Sequence, residues 1–252
     1  MSNKITVKKI DHITIITINR PEVRNALDCE SMDALTEQVR LFEADENARI
    51  AILTGAGGNF CSGADLKELA TGVKYEAWAG VDGLLAQPAK KPVIAAIEGF
   101  VCAGGLGVAL WCDLRVASDE ASFAVLSRRW GVPMSDGTTV RLARTVGQGF
   151  ALDMLLSARI VDAQEALQKG LVTRLAPTGQ ALAKAIEIAR QMADFPQIAM
   201  LSDRRSMYHQ AGMSLADALA QETVYAEEAK NLEAVPGAQR FASGKGRHGK
   251  VE

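Results

Sequence analysis

The 252-residue chain is poor in the residues that most often carry metal, redox or stacking chemistry: three His, four Cys and 5% Phe, Trp and Tyr. His12, His209 and His248 are too scattered to form a metal-spaced cluster, so no metal site is expected. His12 is expected on a strand surface and His209 on a helix. Cys29, Cys61, Cys102 and Cys112 include no CxxC pair, and their apolar or glycine-rich surroundings favour reduced thiols and a cytoplasmic setting. A net charge of −2 gives no general attraction to nucleic acid or an anionic membrane. Met1 to Ile5 holds no apolar run of signal-peptide length. The apolar stretch from Pro92 to Cys112 contains Glu98 and four glycines after it, which fits a buried strand, a turn and a buried helix rather than a membrane span.

Several ligand motifs are absent too. A dinucleotide fingerprint fails because the sixth position is Phe60 when read from Gly55 and Leu110 when read from Gly105. A nucleophile elbow fails because Phe60 stands two residues before Ser62. No Walker phosphate loop occurs.

What is present is an ordinary globular composition, 48% hydrophobic and 23% charged. Lys4–Ile10 and His12–Asn19 read as a strand pair. Asp28–Ala44 spaces Met32, Leu35, Val39 and Phe42 as one helical face, with Asp28 as N-cap. Strand signals recur at Ile50–Thr54, Pro92–Ile97, Leu114–Ala117 and, more briefly, Leu171–Leu175. Helical patterns cover Gly149–Ser157, Ala163–Lys169, Gly179–Ala193, Gln197–Gln210 and Ser214–Asn231. The spacing predicts an α/β core over residues 1–195 and a helical C-terminal region over 196–252, with a seam at Phe195-Pro196. The final residues from Ser243 read as a frayed polar tail or, alternatively, a phosphate-contacting one.

Two glycine-rich stretches, Gly55 to Leu66 and Gly99 to Gly107, each follow a buried-strand signal and precede a helix start. Backbone at such junctions is uncovered, so one N–H from each loop can converge on a carbonyl oxygen as an oxyanion hole. The competing reading is that these glycines only permit tight strand–helix turns.

The ordered segments Asn19–Leu27, Leu53–Gly55 with Phe60–Glu68, Lys91–Gly99, Ala103–Gly105, Cys112–Ala117 and Ala163–Val172 resemble the enoyl-CoA hydratase/isomerase, or crotonase, superfamily over almost the whole chain. The resemblance implies a spiral of ββα units, a helical C-terminal oligomerisation region and trimers or dimers of trimers. It implies acyl-CoA thioester substrates, with coenzyme A carried by the substrate and no further cofactor. The oxyanion amides map onto Ala64 and Gly104. The CoA-contacting positions map onto Arg24, Ala26, Ser62, Ala64, Asp65, Leu66 and Gly104. Phe241 and Lys245 resemble a C-terminal pair that reaches the CoA of a neighbouring subunit, at a spacing one residue longer than the family's.

The chain departs from the hydratase pattern at both acid/base positions. Two glutamates stand there in the family, and here they are Gly107 and Ser127. Asp136 is the sole carboxylate between Glu120 and Asp153, which makes it the candidate base or nucleophile, or else an N-cap for a helix starting near Thr138. Ser127 is expected as a strand-end hydroxyl, with water or substrate binding as the alternative. Arg128-Arg129 reads either as a solvated basic turn or as a partner for Asp136 or a substrate carboxylate. Trp130 is expected in the core, Glu68 on a solvent-facing helix, and Asp113 in a structural contact. The function expected is enolate chemistry on CoA thioesters, as a lyase or isomerase. The alternatives are a catalytically silent acyl-CoA-binding homologue and a purely structural oligomer partner.

Overall fold

The structure, a computed structural model, describes residues 3–244. β1 (Ile5–Ile10) and β2 (Ile13–Ile18) form the expected antiparallel pair. α1 (Cys29–Ala44) follows, capped by Asp28, whose side chain accepts the Ser31 N–H at 2.8 Å. It buries the stripe Met32, Leu35, Val39 and Phe42. The Asp28 carboxyl is pushed up by burial, but the Lys4 ammonium and the Ser31 donors outweigh this and hold it at about 2.

β3 (Ile50–Gly55) pairs in parallel with β2, and after the short α2 (Leu66–Leu69), β4 (Val93–Ile97) extends the sheet in parallel. β4 is buried at every position, as an interior parallel strand covered on both faces must be. β5 (Phe100–Cys102) leaves this sheet and leads into α3 (Gly104–Trp111), which is buried on all sides. β6 (Leu114–Ser118) returns beside β4. β7 (Ser122–Ala124), a 3-10 turn at Leu126–Trp130, α4 (Thr138–Val146), α5 (Gln148–Ser157), β8 (Ile160–Asp162) and α6 (Ala163–Gln168) come next. β9 (Arg174–Ala176) closes the main sheet in the order β1-β2-β3-β4-β6-β9. A second sheet, β5-β7-β8, consists of three-residue strands too short for sequence alternation to reveal.

Of the expected Leu171–Leu175 region only Arg174 and Leu175 pair as a strand, within β9, while Leu171 and Val172 enter the core as loop residues. Glu98, the charge inside the apolar stretch, accepts from Gly179 N–H (3.0 Å) and Ala181 N–H (2.9 Å) where α7 (Ala181–Asp194) starts. Asp113 accepts the Val93 N–H at 2.8 Å, a structural contact that fixes the start of β4.

The chain divides into two compact units, Met1–Arg190 and Gln191–Glu252. The second contains α8 (Gln197–His209), α9 (Leu215–Ala229), a π turn at Lys230–Ala234 and α10 (Val235–Ala242). Within it, Glu233 accepts from the Ile198 and Ala199 N–H groups in the first turn of α8 (3.2 and 2.8 Å). No helix among the described residues is long and apolar enough to cross a membrane.

Candidate active site

The first glycine-rich loop is held by contacts from the Asn19–Leu27 segment. Asn25 donates through Nδ2 to the carbonyls of Ala56 (2.8 Å) and Asn59 (2.6 Å), while its Oδ1 accepts the Arg20 N–H (2.9 Å). The chain beyond forms a short ladder. Ser62 N–H donates to Arg24 C=O (3.0 Å), Leu27 N–H to Gly63 C=O (2.8 Å) and Asp65 N–H to Leu27 C=O (2.9 Å). Successive amides in extended backbone point to opposite sides, so with Gly63 C=O and Asp65 N–H facing Leu27, the Ala64 N–H faces away from it.

The second loop is stitched to the first. Cys102 N–H donates to Cys61 C=O (3.0 Å), and Cys61 pairs with Val101. Ala103 adopts φ 47°, ψ −118°, a left-handed conformation that costs a non-glycine residue energy, and Gly104 then opens α3. The Gly104 N–H is a first-turn donor with no acceptor inside the helix. Gly63 (φ +98°) must be glycine, because a Cβ there would lie 2.9 Å from both Cys102 O and Gly104 N. That proximity brings Ala64 and Gly104 side by side on one cavity wall. Trp78 packs its ring over Gly104, where a Cβ would meet the ring at 2.4 Å.

Asp136, only 4% exposed, lines the same cavity. A Cβ on Gly107 would lie 2.6 Å from Asp136 Cγ and 2.9 Å from Oδ1. The aspartate therefore fills the space in which a side chain on α3 at position 107 would begin. Asp136 Oδ1 accepts the Thr138 N–H (2.9 Å) in the first turn of α4, whose N-cap is Gly137. The N-cap is therefore Gly137 rather than Asp136, but the Asp136 carboxyl, one residue earlier, holds the first N–H of the helix and also stands on the cavity wall. Burial pushes its pKa above the ordinary carboxylate value, opposed by Thr138 and by the Arg141 charge. Arg141 donates to Asp136 C=O (3.4 Å) and to Leu85 C=O, tying this loop to the segment that carries Trp78.

These residues line a cavity of about 690 Å³. Of the positions singled out from sequence, Ser62, Ala64, Leu66, Gly104, Ser127 and Asp136 are on its wall. Ser127 is buried, and its hydroxyl donates to Met134 Sδ at 3.3 Å. Arg24 and Ala26 lie in the adjoining segment and do not line it. Nor does Asp65, whose carboxylate caps α2 and pairs with Arg20 at 3.0 Å. Phe241 is an exposed residue of the second unit, and Lys245 lies outside the described residues.

Two expectations are corrected. Trp130 is not in the core: it is 70% exposed and lines the cavity, because the 3-10 turn ends at Gly131 (φ +71°) and turns it outward. Of the two readings for Arg128 and Arg129 the solvated basic turn is the one met: both are exposed and donate to the carbonyls of Val132 and Ala158, and the cation beside Asp136 is Arg141. Glu68 does not face solvent alone: it accepts the Cys29 N–H (3.0 Å) and the Tyr75 hydroxyl. Burial, then Glu68, pushes the Tyr75 hydroxyl's pKa up. Burial likewise pushes the Cys61 thiol to about 12 and raises that of Cys102, so neither is a thiolate near neutrality.

Asn25 and Arg141 were not read as site residues from the sequence. For Asn25 a signal existed: an Asn between a strand-like run and a helical one, in a family motif, at a position suited to positive φ (57°). Arg141 carries no local signal. Tyr75 and Trp78, in the stretch that the family resemblance assigns to the acyl pocket, both line the cavity.

The stitched glycine loops, the αβ layering and the amide-lined cavity define a crotonase-type protein. The enoyl-CoA hydratase/isomerase family profile matches residues 8–246, and the chain belongs to that family. It is 36% identical over 209 residues to the enoyl-CoA hydratase EchA19 of Mycobacterium tuberculosis, covering 80% of this chain and 79% of that protein. It is 30% identical over 228 residues to the 2,3-dehydroadipyl-CoA hydratase of Escherichia coli, covering 87% and 88%. The crystal structure of an enoyl-CoA hydratase from Mycobacterium tuberculosis H37Rv superposes with a TM-score of 0.90 at 31% identity, covering 96% of both chains.

Proposed function

We propose that the protein is an acyl-CoA enzyme in which the Ala64 and Gly104 amides hold the thioester oxygen while Asp136 moves a proton at the acyl chain. As charge develops on that oxygen, two preorganised donors stabilise it, and loss of one such donor typically costs about 3–4 kcal/mol of barrier. The observation that carries this reading is the Asp136 carboxyl packed over Gly107, with Oδ1 already bonded to Thr138. Oδ2 is then the oxygen that takes the proton.

One carboxylate suits a proton shift better than water addition. The Asp136 carboxylate removes a proton from the α- or γ-carbon, the electron pair delocalises into the thioester as an enolate, and the same carboxylic acid returns the proton to the other carbon. The double bond migrates and nothing is consumed. Adding water requires a second group to orient and deprotonate it, and Ser127 is no base near neutrality without a partner. Isomerisation is therefore the favoured reaction and hydration the slow one. Arg24, Ala26, Ser62, Asp65 and Leu66 form the CoA-binding segment, in which Asp65 holds the segment in shape through its carboxylate, bonded to Arg20 and the start of α2. The exposed apolar side chains of the second unit, Leu215, Leu219, Leu232, Val235 and Phe241 among them, are suited to a homotrimer or dimer of trimers. There Phe241 and Lys245 would serve a neighbouring site.

The test is mass spectrometry of saturated and enoyl-CoA thioesters in deuterated water. Wild type is expected to incorporate α-deuterium, and Asp136→Asn to lose the rate by about 10²–10⁴-fold while still binding the thioester. Incorporation unaffected by Asp136→Asn would remove Asp136 from the chemistry. Binding without any incorporation by wild type would favour a silent acyl-CoA-binding protein.

A further inference from the structure

Trp130 is the one exposed aromatic side chain of the first unit among the described residues. It does not stand alone. Leu66 (41% exposed) and Val73 (37%) come from different segments and reach the same cavity wall. Val132 and Met134 continue the apolar surface, and the charged residues Lys74 and Glu76 sit at its exposed rim. Scattered exposed apolar groups need no explanation, but three converging on one concavity do. The cavity, about 690 Å³, lies in the range that takes a drug-sized ligand and leaves ample room beside a pantetheine thiol ester.

Resting on the reading of this cavity as an acyl-CoA site, we propose that the Trp130 subsite selects a ring-bearing apolar acyl group over a short straight chain, with Trp130 as the specificity-determining residue. A flat ring buries apolar area against the indole and gains the geometry-specific part of an aromatic contact. On the buried part of the wall the one ionisable carboxylate is Asp136, so a negatively charged acyl terminus gains no counter-charge there.

The experiment is titration calorimetry of the full chain with two saturated, unreactive thioesters, butanoyl-CoA and 3-phenylpropanoyl-CoA. Their CoA moieties are identical, so the ratio of affinities isolates the acyl subsite. The phenyl thioester is expected to bind about tenfold tighter. Trp130→Ala, at an exposed position, is expected to reduce that ratio to below about threefold. Equal affinities in wild type, or a preference that survives Trp130→Ala, would overturn the proposal. So would a change of oligomeric state in Trp130→Ala with the preference intact, which would make Trp130 a subunit contact. Ring preference without α-deuterium incorporation would sink the proposed reaction and leave this inference standing, whereas incorporation without ring preference would do the reverse.

Discussion

Two kinds of group line the cavity and carry the proposed reaction. The amide side is main chain set by a ladder of backbone hydrogen bonds, and the side-chain side is an irregular segment from Leu126 to Gly137, where the regular elements are a 3-10 turn and the start of α4. The amide side is over-determined. Ser62, Leu27, Asp65 and Cys102 each contribute a backbone bond, and Asn25 clamps the preceding loop. The side-chain side depends on fewer ties: Thr138 on Asp136, Arg141 on two carbonyls, and Ala79 N–H on Ser135 C=O (3.1 Å). The difference teaches where a family of this kind can change its chemistry. A shift in the amide ladder disturbs both donors at once, whereas a carboxylate can move from α3 to a neighbouring loop while the donors stay in place.

The largest effect that would break this contrast is at the amide side. Gly63→Ala puts a Cβ against Cys102 O and Gly104 N at a φ of +98° and so displaces both donors together. Turnover is expected to fall by about 10²–10³-fold in steady-state kinetics, with a smaller change in thioester affinity. Turnover that stays within a few-fold of wild type, in a variant of unchanged fold by circular dichroism, would show that the amides are not the electrophilic site.

A smaller effect sharpens the other side. The groups facing Asp136 are the Arg141 guanidinium from α4, the Cys61 thiol from the loop after β3 and the Thr138 donor, while α3 presents only Gly107. The folded-state pKa of Asp136 already lies above its ordinary value because of burial, and the Arg141 charge holds it down. With Asp136 as the proposed base, activity is expected to rise with pH through that pKa. Arg141→Met should shift the acid limb of the kcat/KM profile to higher pH and cost about tenfold or less in kcat. Arg141→Lys should leave the limb in place. An acid limb unmoved in Arg141→Met would mean that a different group titrates.

The two sides also differ in how much of them the sequence discloses. The amide side rests on local features, namely glycines at fixed distances after buried strands, and both loops were legible with the residues they present. The α1 stripe and its Asp28 cap were legible for the same reason, being set within one or two turns of chain. The side-chain side rests on which segments cross. Nothing near position 107 says that Asp136, twenty-nine residues on, lies over it, and Arg141 reaching Leu85 spans fifty-six residues. Trp130 reads as a core residue by type, and only the left-handed turn at Gly131 and the position of the cavity put it at the surface. Tyr75 and Glu68 meet because the coil after α2 folds back, which no hydrophobic period encodes.

The central claim is that Asp136 does the work of a carboxylate on α3 from the space above Gly107. Its most direct test is α-deuterium incorporation by three variants: Asp136→Ala, Gly107→Glu and the two combined. Asp136→Ala should lose incorporation. Gly107→Glu alone should be impaired, because its Cβ meets Asp136 Cγ at 2.6 Å. The combined variant, which removes the Asp136 carboxyl group from that space, leaves only the Cβ of position 136 at 2.9 Å and restores a carboxylate on α3, should regain part of the incorporation lost in Asp136→Ala. Full incorporation by Asp136→Ala, or a well-folded combined variant no better than Asp136→Ala, would contradict the account.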